Sequence, residues 1–153
     1  MIILENFRIS QTYSCVAEAE NVLKDSDKKR LDQCGSAIEQ LLRIKSTHSN
    51  YGWDGNNAQP VTLPSFRNAL MFLLTVPERF PCPVPGIGAD GQITLEWRRR
   101  DGRLLSLAFD ERNLMNFIAF LRDDEIVYGT RPIWLGYNKT LIELLNKVFE
   151  DKE

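Results

Sequence analysis

The sequence is short of the residues that most enzyme and metal sites need. Its 153 residues include one histidine, His48, and three cysteines. The cysteines are Cys15, Cys34 and Cys82, and none of them stands in the CxxC spacing of zinc or redox sites. Their odd number and scattered positions predict reduced thiols rather than a disulfide framework. We therefore expect no bound metal.

The chain also has little net charge and no long apolar run. The net charge is −2, far from the basic surplus with which nucleic-acid binders neutralise phosphates, so nucleic acid is not expected as a partner. No apolar run approaches the roughly 20 residues that cross a bilayer. The N-terminus lacks the basic and apolar regions of a signal peptide. These absences predict a cytoplasmic protein that acts without a membrane.

The clearest positive signal is a β-hairpin within residues 90–109. Apolar and polar residues alternate there, which is the period of a strand with one buried face. A three-residue loop at 100–102 pairs Trp97 with Leu105 and puts the large side chains of both strands on one face. A two-residue loop would put them on opposite faces. We predict the three-residue loop, with Gly102 in the left-handed position that such loops need.

Apolar spacing predicts helices on both sides of the hairpin in the chain. An N-terminal helical part covers about residues 14–46, after a short strand within residues 1–13. Gly35 inside it indicates either a break or a close packing contact. Thr62 is expected to cap a further helix. Residues 138–150 have the apolar stripe of a C-terminal amphipathic helix.

A meander of antiparallel strands is predicted at about residues 92–130. Its third strand, at about 113–122, is ambiguous because its apolar residues also suit a helix; we favour a strand. Such a strand has apolar side chains on both faces, so it needs a cover from the N-terminal helices or from another chain. The fold class is thus α+β, a single domain with a three- to four-stranded antiparallel meander packed by two or three helices.

Several motifs resemble those of a family of short bacterial proteins. They are a WDG loop at 53–55, a helix that ends near Pro77, and the strand motif DGQITLEW at 90–97. The resemblance covers roughly residues 51–109 and implies no activity, because the family has none assigned. From its residue type, Trp53 is expected to plug the core while the rest of its loop forms a turn.

Residues 86–91 read GIGADG, which matches the GxGxxG pattern of dinucleotide-binding proteins. That fingerprint works when a strand precedes it and a helix follows, because the helix N-terminus then meets the pyrophosphate. Here a proline-rich stretch precedes the pattern and a predicted strand follows it. We therefore expect a loop and no cofactor.

A small hydrolase or nuclease is the rival interpretation from another function class. Its site would be assembled from His48, Asp54 and Glu96, which are scattered along the chain. We expect His48 to be an exposed histidine at a helix end, and Glu96 to pair across strands with a basic residue on the polar sheet face. No catalytic residue is assigned on this basis.

The charged residues of the meander are predicted to contact a protein partner. They lie on the polar sheet face, at an arginine-rich hairpin tip and in an acidic turn: Glu96, Arg98, Arg100, Arg103, Asp123, Asp124 and Glu125. We interpret the chain as a non-catalytic interaction module, an inhibitor or antagonist of bacterial or phage origin. Its partner would be a host or defence complex, as for anti-CRISPR proteins or antitoxins. An obligate homodimer with a structural role is the remaining alternative.

Overall fold

The computed structural model describes residues 29–30, 32–133 and 138–151. The strand predicted within residues 1–13 and the first part of the helical region lie outside the described residues. The helices are α1 (Gly35–Thr47), α2 (Leu63–Thr75) and α3 (Lys139–Phe149). In the part of the chain that is described, no helix combines the length and the apolar character needed to span a membrane.

Five strands lie between α2 and α3 and pair in chain order as one antiparallel sheet. They are β1 (Val84–Ile87), β2 (Ile93–Arg98), β3 (Leu104–Phe109), β4 (Leu114–Phe120) and β5 (Ile126–Pro132). The α+β class is confirmed, with one strand more than the upper limit predicted. The additional strand, β1, comes from the proline-rich stretch and lies at the sheet edge, where proline is tolerated.

The β2–β3 hairpin has the predicted register. Trp97 pairs with Leu105, and the N–H of Arg99 donates to the carbonyl of Arg103 at 2.8 Å, which leaves a three-residue loop. Gly102 has a φ of 93°, the left-handed conformation that this loop requires. Trp97 is 2% exposed, so the large side chains of the hairpin share the buried face as predicted.

The ambiguous segment is a strand, as favoured, because its inner side chains complete the core. Met115, Phe117 and Ala119 of β4 are buried against the helices, while Ile118 and Phe120 point to the other face. We call the face that packs against the helices the inner face, and the opposite one the outer face. The inner face thus has its cover within the described residues.

One hydrophobic core fills the space between the inner face and the helices. Thr62 caps α2 as predicted, since its hydroxyl accepts from the N–H of Ser65 at 3.3 Å. The Ser65 hydroxyl is itself buried; it donates to the carbonyl of Phe109 at 2.6 Å and accepts from the N–H of Ile93 at 2.9 Å. This one side chain joins α2 to the start of β2 and the end of β3.

The prediction of reduced thiols is wrong for two of the three cysteines. Cys34 and Cys82 form a disulfide that ties the beginning of α1 to the segment before β1. Arg30 strengthens the same junction, because its guanidinium donates to the carbonyls of Phe80 at 2.7 Å and Pro81 at 3.2 Å. The pairing is invisible in the sequence because it depends on how α1 packs beside β1.

The start of α1 also settles the role of Gly35. The helix begins at this residue, after a turn at Cys34. Of the two expectations for Gly35, a break in the helix is therefore confirmed. A side chain on Gly35 would meet no heavy atom within 4 Å, so close packing is not the reason for the glycine.

Asp110 organises the turn between β3 and β4, and we expect it to make stability sensitive to acid. Burial alone would raise the pKa of Asp110, but the N–H groups of Arg112 and Leu114 and the Arg112 guanidinium donate to its carboxylate and hold that pKa below its usual value. The ionised group therefore stabilises the fold above the unfolded pKa of about 3.9. This contribution is lost as pH falls through the lower, folded pKa.

Asp110→Asn tests this contribution. Urea unfolding should show a larger gap in free energy of unfolding between wild type and variant at neutral pH than at a pH below the lowered, folded pKa, where the wild-type carboxyl is protonated too. A gap that does not change with pH would mean that the charge of Asp110 adds nothing beyond its shape.

Candidate protein interface

The outer face carries adjoining large apolar side chains that face solvent. In the sheet ladder Ile118 pairs with Tyr128 and Phe120 pairs with Ile126. Tyr128 is 77% exposed, Ile126 is 53% exposed, and the other two are about two-fifths exposed (37% and 38%). We call these four residues the apolar patch. Contiguous exposed apolar surface of this kind marks interaction sites more often than isolated exposed residues do.

Charged groups of both signs stand at one end of this patch. Arg98 on β2 lies in the same cross-strand row as Phe120, and it forms a 2.9 Å ion pair with Glu96. Asp123 and Asp124 form the exposed turn between β4 and β5, where both have left-handed φ values of 56° and 58°. The meander thus brings together predicted site residues that lie far apart in the sequence.

Two residues of the predicted site do not belong to this face. Arg103 is only 3% exposed, so the prediction of an exposed arginine tip is wrong for this residue. Its guanidinium donates to the carbonyls of Lys147 at 3.0 Å and Glu150 at 2.7 Å, at the end of α3. Glu125 also faces the helices, where it lies 3.6 Å from the Lys147 ammonium. Of the tip residues, Arg100 is exposed as expected.

The arginines around the hairpin instead hold the C-terminal end of α3. Besides Arg103, Arg99 donates to the carbonyl of Phe149 at 3.3 Å, and Arg122 donates to that of Glu150 at 2.6 Å. The last carbonyls of a helix lack partners within the helix and carry partial negative charge, so guanidinium groups stabilise them. These arginines are far from α3 in the sequence, so the sequence alone does not indicate that they bind the end of this helix.

The side chains of the WDG loop hold the surrounding loop together, and the expectation that Trp53 plugs the core is wrong. The indole is half-buried, donates its N–H to the carbonyl of Gln59 at 2.7 Å, and lies edge-on to the His48 ring at 4.5 Å between centroids. The Asp54 carboxylate accepts from the N–H groups of Asn56 at 2.8 Å and Ala58 at 3.2 Å. Both side chains therefore close their own loop.

The residues that follow the WDG loop contact the turn between β1 and β2, which contains the second part of the GIGADG segment. The N–H of Gln59 donates to the carbonyl of Ala89 at 2.8 Å, and a Cβ on Gly91 would collide with the carbonyl oxygen of Pro60. Gly91 also has a φ of 80°. A strand follows the segment as predicted, but the expectation of a loop is wrong for Gly86 and Ile87, which belong to β1. The remaining residues form the hairpin turn that fits against Gln59 and Pro60.

Gly91→Ala is expected to destabilise the protein by about 2 kcal/mol, through left-handed strain and displacement of the Pro60 backbone. Gly102→Ala is the matched control, because Gly102 has the same kind of φ but open space around it. The control should cost about 1 kcal/mol. Both are measured by urea unfolding, and equal losses would contradict the proposed contact between the two motifs.

The structure does not bring His48, Asp54 and Glu96 together as a catalytic group. The Nδ1 atom of His48 lies 2.6 Å from the hydroxyl of Thr47, while Asp54 and Glu96 are engaged by the loop and by Arg98 as described. In residues 29–30, 32–133 and 138–151, no group of three or more His, Cys, Asp or Glu side chains is arranged to hold a metal ion. A small apolar cleft between α2 and α3 has a volume of about 10 Å³, close to the room that one water needs.

Comparison with known proteins adds no relative to this description. No protein-family model matches the chain, and no curated protein or solved structure shows significant similarity to it.

Proposed function

We propose that the protein is a non-catalytic protein-interaction module that binds its partner with the outer face of the sheet. The observation that supports this most is the apolar patch, in which residues of two neighbouring strands expose large side chains on a regular sheet. Protein interfaces combine an apolar centre with a polar rim. Here Arg98, Arg100, Asp123 and Asp124 supply the rim.

The rim indicates the chemistry of the partner. A protein surface that fits would place apolar side chains on the patch, an acidic group near Arg98 and Arg100, and a basic group near Asp123 and Asp124. A nucleic acid fits less well, because the acidic turn repels phosphates at the same end of the face.

Within this function, the role we propose is that of an inhibitor or antagonist of bacterial or phage origin, as in anti-CRISPR proteins or antitoxins. An antagonist needs a binding surface and no chemistry of its own, and the apolar patch with its charged rim supplies such a surface. The cytoplasmic location stays a prediction, and the Cys34–Cys82 disulfide argues against it because such bonds persist in oxidising compartments.

The test combines capture with direct binding. Proteins captured from the native host by the wild type are compared with those captured by an outer-face variant, Ile118→Thr with Phe120→Thr, which keeps β-propensity. The control variant, Tyr51→Ser with Leu63→Ser, removes exposed apolar side chains that lie outside the sheet. A captured protein is then purified and titrated against all three.

We expect the face variant to bind the purified partner about tenfold or more weakly, since central apolar side chains dominate interface energy. The control variant should bind like the wild type. If the control weakens binding and the face variant does not, the partner binds elsewhere and the proposal fails.

The charged rim should act mainly on the rate of association. Arg98→Glu with Arg100→Glu is expected to slow association about tenfold and to reduce its salt dependence, with little change in stability because both side chains are exposed. Arg43→Glu with Arg67→Glu changes the net charge equally on the helices and serves as the control. Equal effects of the two pairs in stopped-flow binding would show that only net charge matters.

A further inference from the structure

Among the described residues, β5 is the last strand of the sheet, and no strand pairs with its free edge. The strand spans seven residues, and only one of them, Arg131, has a charged side chain. Natural proteins usually protect such edges with charges, bulges or prolines. The opposite edge is protected, because β1 has four residues and Pro85 among them. In the part of the chain that the structure describes, the β5 edge has no such protection between Ile126 and Thr130.

The hydrogen-bond pattern shows which groups point out of this edge. The N–H of Leu121 donates to the carbonyl of Glu125 at 2.8 Å, and the N–H of Ile133 donates to that of Asn113 at 2.9 Å. In an antiparallel ladder the bonded pairs alternate, so the odd-numbered residues of β5 bond to β4. The N–H and carbonyl groups of Ile126, Tyr128 and Thr130 therefore face away from the sheet, and Pro132 ends this row of donors.

We propose that the β5 edge pairs with the β5 edge of a second copy of this chain, antiparallel and about a two-fold axis at Tyr128. In that register Tyr128 pairs with itself across the axis, and Ile126 pairs with Thr130 of the second copy. The backbone N–H and carbonyl groups of these residues point away from β4, so each pair exchanges two backbone hydrogen bonds. The two sheets then form one continuous sheet.

Charge complementarity supports this occupant and this register. With the axis at Tyr128, Glu125 lies opposite Arg131 of the second copy, and the symmetry repeats the pair. Both side chains are exposed and lie on the helix side of the sheet. Glu125, which directly precedes β5, is near Lys147 of α3, and Arg131 pairs with the inner-face residue Met115. An axis one residue earlier or later pairs Glu125 with Gly129 or Ile133 instead, and the complementarity is lost. Opposite charges directly across a ladder stabilise it.

The pairing also enlarges the outer face. Tyr128 is the most exposed member of the apolar patch, and the axis brings the two copies of it side by side. Aromatic pairs across strands are favourable. The dimer does not depend on the proposed partner, because it uses the backbone edge rather than the face.

Two charge reversals test the register. Glu125→Arg places like charges opposite Arg131, and Arg131→Glu places like charges opposite Glu125. The dimer dissociation constant of the full-length chain, measured by analytical ultracentrifugation over a micromolar to millimolar range, should rise about tenfold or more for each variant. Glu143→Arg on α3 and Arg43→Glu on α1 are the matched controls, with the same charge changes away from the edge, and should dimerise like the wild type.

An equimolar mixture of the two reversed variants is the decisive sample. In a mixed dimer both cross-axis pairs again join an acid and a base, so native mass spectrometry should show mixed dimers in excess and an affinity close to that of the wild type. This recovery also shows that both variants are folded. A wild type that stays monomeric at millimolar concentration, variants that dimerise like the wild type, or a mixture without recovery would each overturn the proposal.

Discussion

Opening the Cys34–Cys82 disulfide is expected to lower the free energy of unfolding by about 4 kcal/mol, through the chain entropy that the unfolded state regains. The two residues are 48 positions apart, so the bond closes a long loop that contains α1 and α2. The Arg30 bonds to Phe80 and Pro81 remain after reduction and keep the junction in place. We therefore expect a less stable protein that still unfolds cooperatively.

Urea unfolding of the wild type with and without reductant measures this effect. The double variant Cys34→Ala with Cys82→Ala is the control, because reductant should leave its stability unchanged. Alanine is preferred to serine since Cys34 is 1% exposed and a buried hydroxyl would need a partner. A loss below about 1 kcal/mol on reduction would contradict the expected role of the bond.

Arg103→Ala is expected to destabilise the protein by about 3 kcal/mol, since a buried charged donor is lost and its acceptors stay behind. The guanidinium joins the hairpin loop, through Asp101 at 2.9 Å, to the last carbonyls of α3. Removing it leaves the carbonyls of Lys147 and Glu150 without this donor in a part-buried site.

Arg100→Ala is the matched control, because Arg100 lies in the same loop but is exposed. It should change stability by no more than about 0.5 kcal/mol. Arg103→Lys should recover only part of the loss. The planar guanidinium binds both carbonyls and Asp101 at once, and a lysine ammonium cannot do so. If Arg103→Ala is as mild as the control, the bonds of Arg103 add little to the attachment of α3, and the expectation fails.

The sequence predicts those parts of the fold that depend on local pattern. The β2–β3 register follows from alternation and from one glycine, and the cap at Thr62 follows from residue type next to an apolar run. The strand nature of β4 was harder to predict, because its apolar residues suit either period. Its neighbours in the sheet decide the matter, since strands on both sides satisfy its backbone.

The parts that depend on distant contacts could not be predicted from one sequence. Arg103 sits among other arginines at a hairpin tip, and only the position of α3 turns it from a solvated residue into a buried one. The same holds for the pairing of Cys34 with Cys82. The apolar patch was half predicted, since β4 showed two apolar faces, but its continuation on β5 depends on register. The family resemblance stays a prediction.

Footprinting of the complex tests most directly that the outer face is the binding surface. Hydroxyl radicals oxidise exposed side chains, and mass spectrometry reads the rate at each residue with and without the purified partner. We expect a several-fold fall in oxidation of Phe120 and Ile118, with no change at Tyr51, which is more open to solvent (63% exposed) and lies outside the sheet, just before the WDG motif. Protection of Tyr51 with unchanged oxidation of Phe120 and Ile118 would contradict it.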